Sequence, residues 1–333
     1  MYPCERQQAI FDAHIHAFAF FCGVFSILIY DNLTTAVRKV LQGKKRKEQE
    51  SFQKFRAYYN YESRFCTPGK GHEKGGVEGM VGFVRRNYMV PVPEAASLEE
   101  LNDKLLESCR RYGSHTISGR EQSVDSLFEQ EPQSLLSQPS VPFSNIQLQP
   151  GRADKYSTVI VDKNRYSVPS RYAVYPVKVQ LTVDRISIYF NGKKVADHTR
   201  LFNINKWSLV PDHYLELIQQ RPQAFDSARP IVEWRKQWPT CLNTLLERFQ
   251  KSSGMSGGTK DFLNVLMLYR DYDEKAIEHA VTVALEHGIK SSEGILHILI
   301  YSNTPERIIP PVVGWESSAP PDLTVYGQLG EVQ

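Results

Sequence analysis

Residues 24–30 read VFSILIY, and the polar pair Asp31-Asn32 follows directly. The run is short and bulky. Its length and its Val and Ile content predict a central strand buried on both faces, because a strand covered on only one side would alternate apolar with polar residues. A helix precedes it, predicted over Glu5 to Phe21. From Ala17 to Tyr30 the chain carries no charge, but those fourteen residues are too few to cross a bilayer. Glu5, Arg6 and Asp12 do not make the positively charged start of a secretion signal. Gly23 splits the uncharged stretch into a helix end and a strand start.

Downstream of the strand, Arg38-Lys39 and Lys44-Lys45-Arg46-Lys47 place six basic residues within ten positions. They suit the phosphate backbone of a nucleic acid, through counterion release that ignores sequence, or else form a solvated loop. Glu48 to Tyr59 has helical spacing, with Phe52, Phe55 and Tyr59 on one face. Ser63 to Cys66 reads as a short strand. The loop Gly71-His72-Glu73-Lys74-Gly75-Gly76 opens a helix in which Val77, Val81, Val84 and Tyr88 form a core-facing stripe. Lys74, Glu78 and Arg85 lie along one edge of that helix. Ser97-Leu98-Glu99-Glu100 has the form of a capping box. The helix it opens turns Leu98, Leu101, Leu105, Cys109 and Tyr112 inward and stops at Gly113.

Residues 113–150 hold 8 Ser, 6 Gln and 4 Pro, which predicts an extended linker with one helical turn near Val124–Phe128. From Tyr156 the texture changes to short alternating strands. Asp162-Lys163-Asn164, Val183-Asp184 and Asn191-Gly192 supply the turns, and the pattern predicts a small β-barrel. Residues 212–302 are helical in pattern. The net charge of +3 hides a gradient: +1 over residues 1–150, +6 over 151–212 and −4 over 213–333. The basic middle suits a polyanion, with Lys193 and Lys194 in its Asn-Gly hairpin; the acidic tail suits a protein partner. Five scattered cysteines with no C-x-x-C pair argue against a disulfide framework or a structural zinc site, and fit reduced thiols in a cytoplasm. No phosphate-binding G-x-x-x-x-G-K-[ST] loop is present.

A carboxylate at a strand end, Asp31, and another on a helix edge, Glu78, can hold divalent metal, since Mg²⁺ takes oxygen ligands and keeps several waters. The bland alternative is a turn aspartate and a solvated helix glutamate. Several motifs in order bear on that choice. They are Asp31-Asn32, the basic run, Thr67-Pro68-Gly69-Lys70-Gly71-His72-Glu73-Lys74-Gly75-Gly76-Val77-Glu78 and Arg85-Arg86-Asn87. Further on come Gly119-Arg120, Leu135-Leu136-Ser137-Gln138-Pro139, Asn164-Arg165-Tyr166-Ser167-Val168-Pro169 and His198-x-Arg200. Together they resemble the catalytic region of DDE transposases and retroviral-type integrases, most closely the IstA-type insertion-sequence transposases.

The resemblance implies a multidomain chain: an RNase H-like α/β core over 1–112, the linker over 113–150, the small β-barrel over 151–210, an α-helical domain over 211–302 and a loosely ordered tail over 303–333. It implies DNA integration by phosphoryl transfer, with Asp31 and Glu78 as the second and third acidic residues binding Mg²⁺ or Mn²⁺. Lys74 and Arg85 become candidates for terminal phosphates, and Arg86 a candidate for DNA contact beside Lys44, Lys45, Arg46 and Lys47. The partners implied are transposon-end and target DNA, sibling subunits in a homo-oligomer on DNA and an IstB-type AAA+ ATPase helper. The setting implied is a bacterial cytoplasm, at the nucleoid, with no membrane. The family's first aspartate, on a strand expected before the helix near Glu5, and its amino-terminal helix-turn-helix have no match here. The expectation is therefore an amino-terminally truncated core, weak or inactive alone, whose Val24–Tyr30 strand lacks partners and exposes apolar faces. The competing reading is a DNA-binding or regulatory module without catalysis.

Overall fold

A computed structural model describes residues 1–30, 37–40, 46–66 and 77–303, with the backbone alone at 37–40, 46–48, 77–78, 132 and 303. The architecture is mixed α/β followed by helices. The chain divides into two compact units, Met1–Tyr214 and Leu215–Gln333.

The first unit opens with α1 (Gln7–Phe20) and β1 (Ile27–Tyr30), then β2 (Val37–Val40) and β3 (Arg46–Glu48), which pair as an antiparallel hairpin. Next come α2 (Glu50–Tyr59) and β4 (Glu62–Phe65). β1 and β4 run parallel, Ile27 beside Glu62 and Tyr30 beside Phe65, so both strands end at one edge. Parallel neighbours need a crossover, and α2 supplies it. α2 packs Phe52, Phe55 and Tyr59 inward and ends where Asn60 takes the left-handed conformation (φ 57°) that releases a chain from a helix.

The core of this part is aromatic. Phe11 of α1 stacks on Phe55 with ring centroids 4.5 Å apart, and Phe143 meets both edge-on. Phe143 and Leu136 come from the Ser/Gln/Pro-rich stretch. Leu136 also exchanges two backbone hydrogen bonds with Val24 (2.8 and 2.9 Å). That stretch therefore lies against the core and is no free spacer.

Several sequence expectations need correction. β1 is not buried on both faces: Tyr30 is buried, but Ile29 is 67% exposed and Ile27 is also exposed. Among the described residues β4 is its sole strand partner, so no second layer covers the Ile27/Ile29 side. In α3 (Val77–Tyr88) the valine stripe does not face the core, since Val81 is exposed. The helix instead leans through Phe83, whose ring meets Tyr88 and Tyr112 edge-on. Tyr112 ends α4 (Leu98–Tyr112). α4 starts as its sequence predicts: the Ser97 hydroxyl accepts from the Glu100 amide (3.1 Å), and the Glu100 carboxylate accepts from the Ala96 amide (2.7 Å). Its apolar face is only partly covered: Leu98 and Cys109 are exposed. α5 (Val124–Phe128) follows.

The β region comprises β5 (Gln147–Arg152), β6 (Thr158–Val161), β7 (Asn164–Ser167), β8 (Pro176–Leu181), β9 (Arg185–Phe190), β10 (Lys193–Thr199) and β11 (Trp207–Ser208). It is not a closed barrel. β10-β9-β8-β5 form one antiparallel sheet, and β11-β7-β6 form another. The two share one core, which includes Val159, Val161, Tyr166, Val179, Ile186 and Ile188. β10 carries a register shift between Lys194 and Ala196, and β5 carries Pro150, which has no amide to donate.

The described residues of the second unit are helical. α6 (Asp212–Gln220) leads to α7 (Arg229–Arg235), α8 (Thr240–Met267), α9 (Glu274–Glu286) and α10 (Ser292–Asn303). Phe262, Val265, Leu266, Ile277 and Val281 are buried, as their helical spacing predicts. α8 breaks at Gly254 (φ 74°, ψ 166°) into two helical segments. Among the described residues, no helix is long and apolar enough to cross a membrane.

Candidate functional site

The paired ends of β1 and β4 define one edge. The Cys66 amide donates to the Tyr30 carbonyl (2.8 Å), so the chain leaves both strands side by side. Ligand sites of parallel sheets collect beyond such carboxyl ends. Asp31 is the residue after Tyr30 in the sequence and lies outside the described residues, as do Lys44, Lys45 and Lys74. Arg46 and Lys47 fall in β3, where the backbone alone is described. Glu78 is the second residue of α3, again with backbone alone. Arg85 stands seven residues, two helical turns, beyond Glu78 and so shares its face of α3. Arg85 and Arg86 sit in the last turn and are exposed. Among the described residues, no three His, Cys, Asp or Glu side chains cluster closely enough to hold a metal ion.

A polar relay holds the strand end behind this edge. The His14 Nδ1–H donates to the Ile10 carbonyl (2.7 Å), which leaves Nε2 to accept from the Tyr30 hydroxyl (2.9 Å). The Tyr30 and Tyr61 hydroxyls bond to each other at 2.9 Å. Burial pushes the His14 imidazole below its ordinary pKa, which keeps it neutral as the relay requires. The sequence reading missed this relay, because a lone His in an apolar helix carries no signal of its partner.

The β region presents basic side chains outward. Lys193 and Lys194 begin β10 directly after the Asn191-Gly192 turn, and both are exposed. Asn191 (φ 48°) and Gly192 (φ 81°) both adopt the left-handed conformation that a tight hairpin turn demands. His198 and Arg200 face inward and are structural. The His198 Nε2–H donates to the Ser167 carbonyl (2.7 Å), and Nδ1 accepts from the Ser208 hydroxyl (3.0 Å). Arg200 is 4% exposed; it donates to the Thr182 carbonyl (2.6 Å) and pairs with Asp162 (2.9 Å). Trp238 is buried, whereas Trp207 is partly exposed under the Arg165 guanidinium, 5.0 Å from its ring centre. A groove of about 800 Å³ beside α1 and α4 is lined by Asp12, Glu99, Asp103 and Asp184, a charge that repels phosphate.

Residues 138–209, which span this β region, match the family model described as the Mu transposase C-terminal domain. A transposase of Aminobacter aminovorans is 31% identical over 98% of this chain and 63% of its own length. The transposase for insertion sequences IS1326/IS1353 of Pseudomonas aeruginosa is 31% identical over 97% of this chain and 64% of its own. The chain is similar to insertion-sequence transposases over nearly its whole length. It also resembles the transposase for insertion sequence element IS21 of Pseudomonas aeruginosa, at 27% identity over 70% of this chain and 60% of the relative. The chain thus spans less than two thirds of the length of those relatives.

Proposed function

We propose that the protein acts in DNA transposition, through Mg²⁺-dependent cleavage of element 3′ ends and joining to target DNA. One observation carries the reading: a chain similar to transposases over nearly its whole length places a parallel strand pair just ahead of an Asp and just ahead of the helix that carries Glu78 and Arg85. The β1–α2–β4 arrangement fits part of an RNase H-like core. Asp31 and Glu78 offer oxygen donors only, the chemistry a hard cation takes, and would hold the metal with a further carboxylate and phosphate oxygens. When bound, paired Mg²⁺ ions activate the attacking oxygen and stabilise the leaving one. Arg85, on the Glu78 face, would hold a terminal phosphate.

The β region, net +6 with its flanks, is the natural DNA-binding part. The acidic helical unit is a protein-docking part, for an IstB-type ATPase or for sibling subunits. A second reading, DNA binding without cleavage, draws on the exposed Ile27/Ile29 face of a two-stranded sheet. Incubating the full chain with element-end oligonucleotides and Mn²⁺ separates the two. Nicking or joining that Glu78→Gln lowers by at least about a hundredfold supports the catalytic reading. Salt-sensitive binding with no cleavage supports the second, and absence of both overturns the assignment to DNA.

A further inference from the structure

One end of the four-stranded sheet gathers features that a plain phosphate contact does not need. β5 ends there at Arg152 and β8 begins at Pro176, which are paired; β9 ends at Phe190, paired with Lys193 at the start of β10. On the outer face, Lys178 and Lys194 flank Tyr189 in one cross-strand row. From Tyr166 to Ala196 the chain holds a single acid, Asp184, and it lies in the β8–β9 turn at the opposite end. Among the described residues, Lys178 and Lys193 make no ion pair. Lys194 reaches Asp197 at 4.0 Å, so Lys178 and Lys193 carry the unpaired charge, which suits a polyanion.

At the same end of the sheet, on the face that Phe190 shares and opposite the lysine row, the chain holds out an apolar tip. Val174 is 53% exposed and Tyr175 is 49% exposed. Val174 sits at φ 62°, a left-handed conformation that a β-branched residue strongly disfavours. The surroundings enforce it. The Arg152 Nε–H donates to the Val174 carbonyl (3.2 Å), the Ala153 amide to the Tyr175 carbonyl (3.0 Å) and the Tyr175 amide to the Tyr172 carbonyl (3.3 Å). Phe190 backs the tip, its ring centre 5.4 Å from that of Tyr175 and 5.1 Å from that of Tyr172. A strained backbone kept by many bonds marks a position where the outcome, not the local energy, is what matters. Here the outcome is an exposed valine and tyrosine held rigidly within a basic field.

We propose that the Val174–Tyr175 tip, with the Lys178–Tyr189–Lys194 row, binds DNA at unpaired or unstacked bases. A closed duplex hides its base faces, so an apolar tip gains nothing from it. Where the stack is open, an aromatic ring stacks on a base of any identity, and an apolar side chain fills the gap between steps. The lysines hold the flanking phosphates. The inference rests on the transposition reading, in which strands must open or bend at the reacting ends.

The full chain is titrated, by fluorescence anisotropy, onto a labelled duplex and onto the same duplex with a central mismatched bubble. Wild type binds the bubble roughly tenfold more tightly, the value of one stacked base. Tyr175→Ala abolishes that preference and leaves duplex binding within about twofold, while Tyr175→Phe, which keeps the ring, retains it. Val174→Gly suits the left-handed backbone, so it keeps the fold by circular dichroism while reducing the preference. Equal affinity of wild type for both DNAs, or a preference untouched in Tyr175→Ala, overturns the inference and leaves the transposition reading standing. No binding to either DNA overturns both.

Discussion

Histidines 14 and 198 do structural work that depends on their being neutral. Each uses one ring nitrogen as donor to a backbone carbonyl and the other as acceptor from a hydroxyl. Burial pushes both below the ordinary histidine pKa. As pH falls, the unfolded chain therefore takes up its protons first. The stability these residues contribute is complete above about pH 6.5 and is lost as pH drops below it. Melting temperature should fall between neutral pH and pH about 5.5, and His198→Gln should shrink that fall while lowering stability at neutral pH. A melting temperature unchanged across that range would show that neither histidine titrates on unfolding. The sequence put His198 and Arg200 on one strand face, and their inward, hydrogen-bonded setting follows from β10 having a single buried face. Their partners Ser167, Ser208 and Thr182 were not legible, because each arrives from a distant strand or turn.

Elements with strong local signals were read correctly, and elements made by their neighbours were not. Asn191-Gly192 fixes its hairpin within four residues, and Ser97 with Glu100 fixes the start of α4 within one turn. By contrast β5 reads Gln147-Leu148-Gln149-Pro150-Gly151-Arg152, with no strand pattern; it is extended because the edge of β8 gives its backbone partners. The α8 break is another case. Residues 252–258 run SSGMSGG, and the sequence alone does not say which glycine matters. The structure does. A Cβ on Gly258 would lie 2.3 Å from the Phe249 carbonyl carbon and 2.4 Å from the Gln250 nitrogen, backbone atoms that cannot step aside. On Gly257 the nearest atom is the Ser253 Cβ, at 3.3 Å. Gly258→Ala should thus cost about 1–3 kcal/mol, whereas Gly257→Ala should be nearly neutral. Urea denaturation of the two variants checks this, and equal midpoints would mean that the two α8 segments are not packed as described.

Across the molecule, the charge gradient is the property read most completely from sequence, since net charge needs only a count and no contacts. What sequence could not give is its geometry. The lysines of the β9–β10 hairpin stand exposed at one end of a sheet, whereas Arg200, equally basic in the count, is buried against Asp162 and offers nothing to DNA. The eleven basic side chains of residues 151–212 therefore overstate the binding surface, and salt dependence can measure the difference. Each phosphate neutralised on duplex DNA adds a slope of about −0.9 to log K against log salt. If Lys193 and Lys194 each hold a phosphate, the double variant Lys193→Ala/Lys194→Ala should flatten the slope of the full chain by nearly two units. Arg200→Met should leave the slope unchanged while lowering the melting temperature, because Asp162 loses a partner and the Thr182 carbonyl its donor. A slope that ignores the hairpin lysines but responds to Arg200 would mean that DNA reads the fold of this region and not its exposed charge.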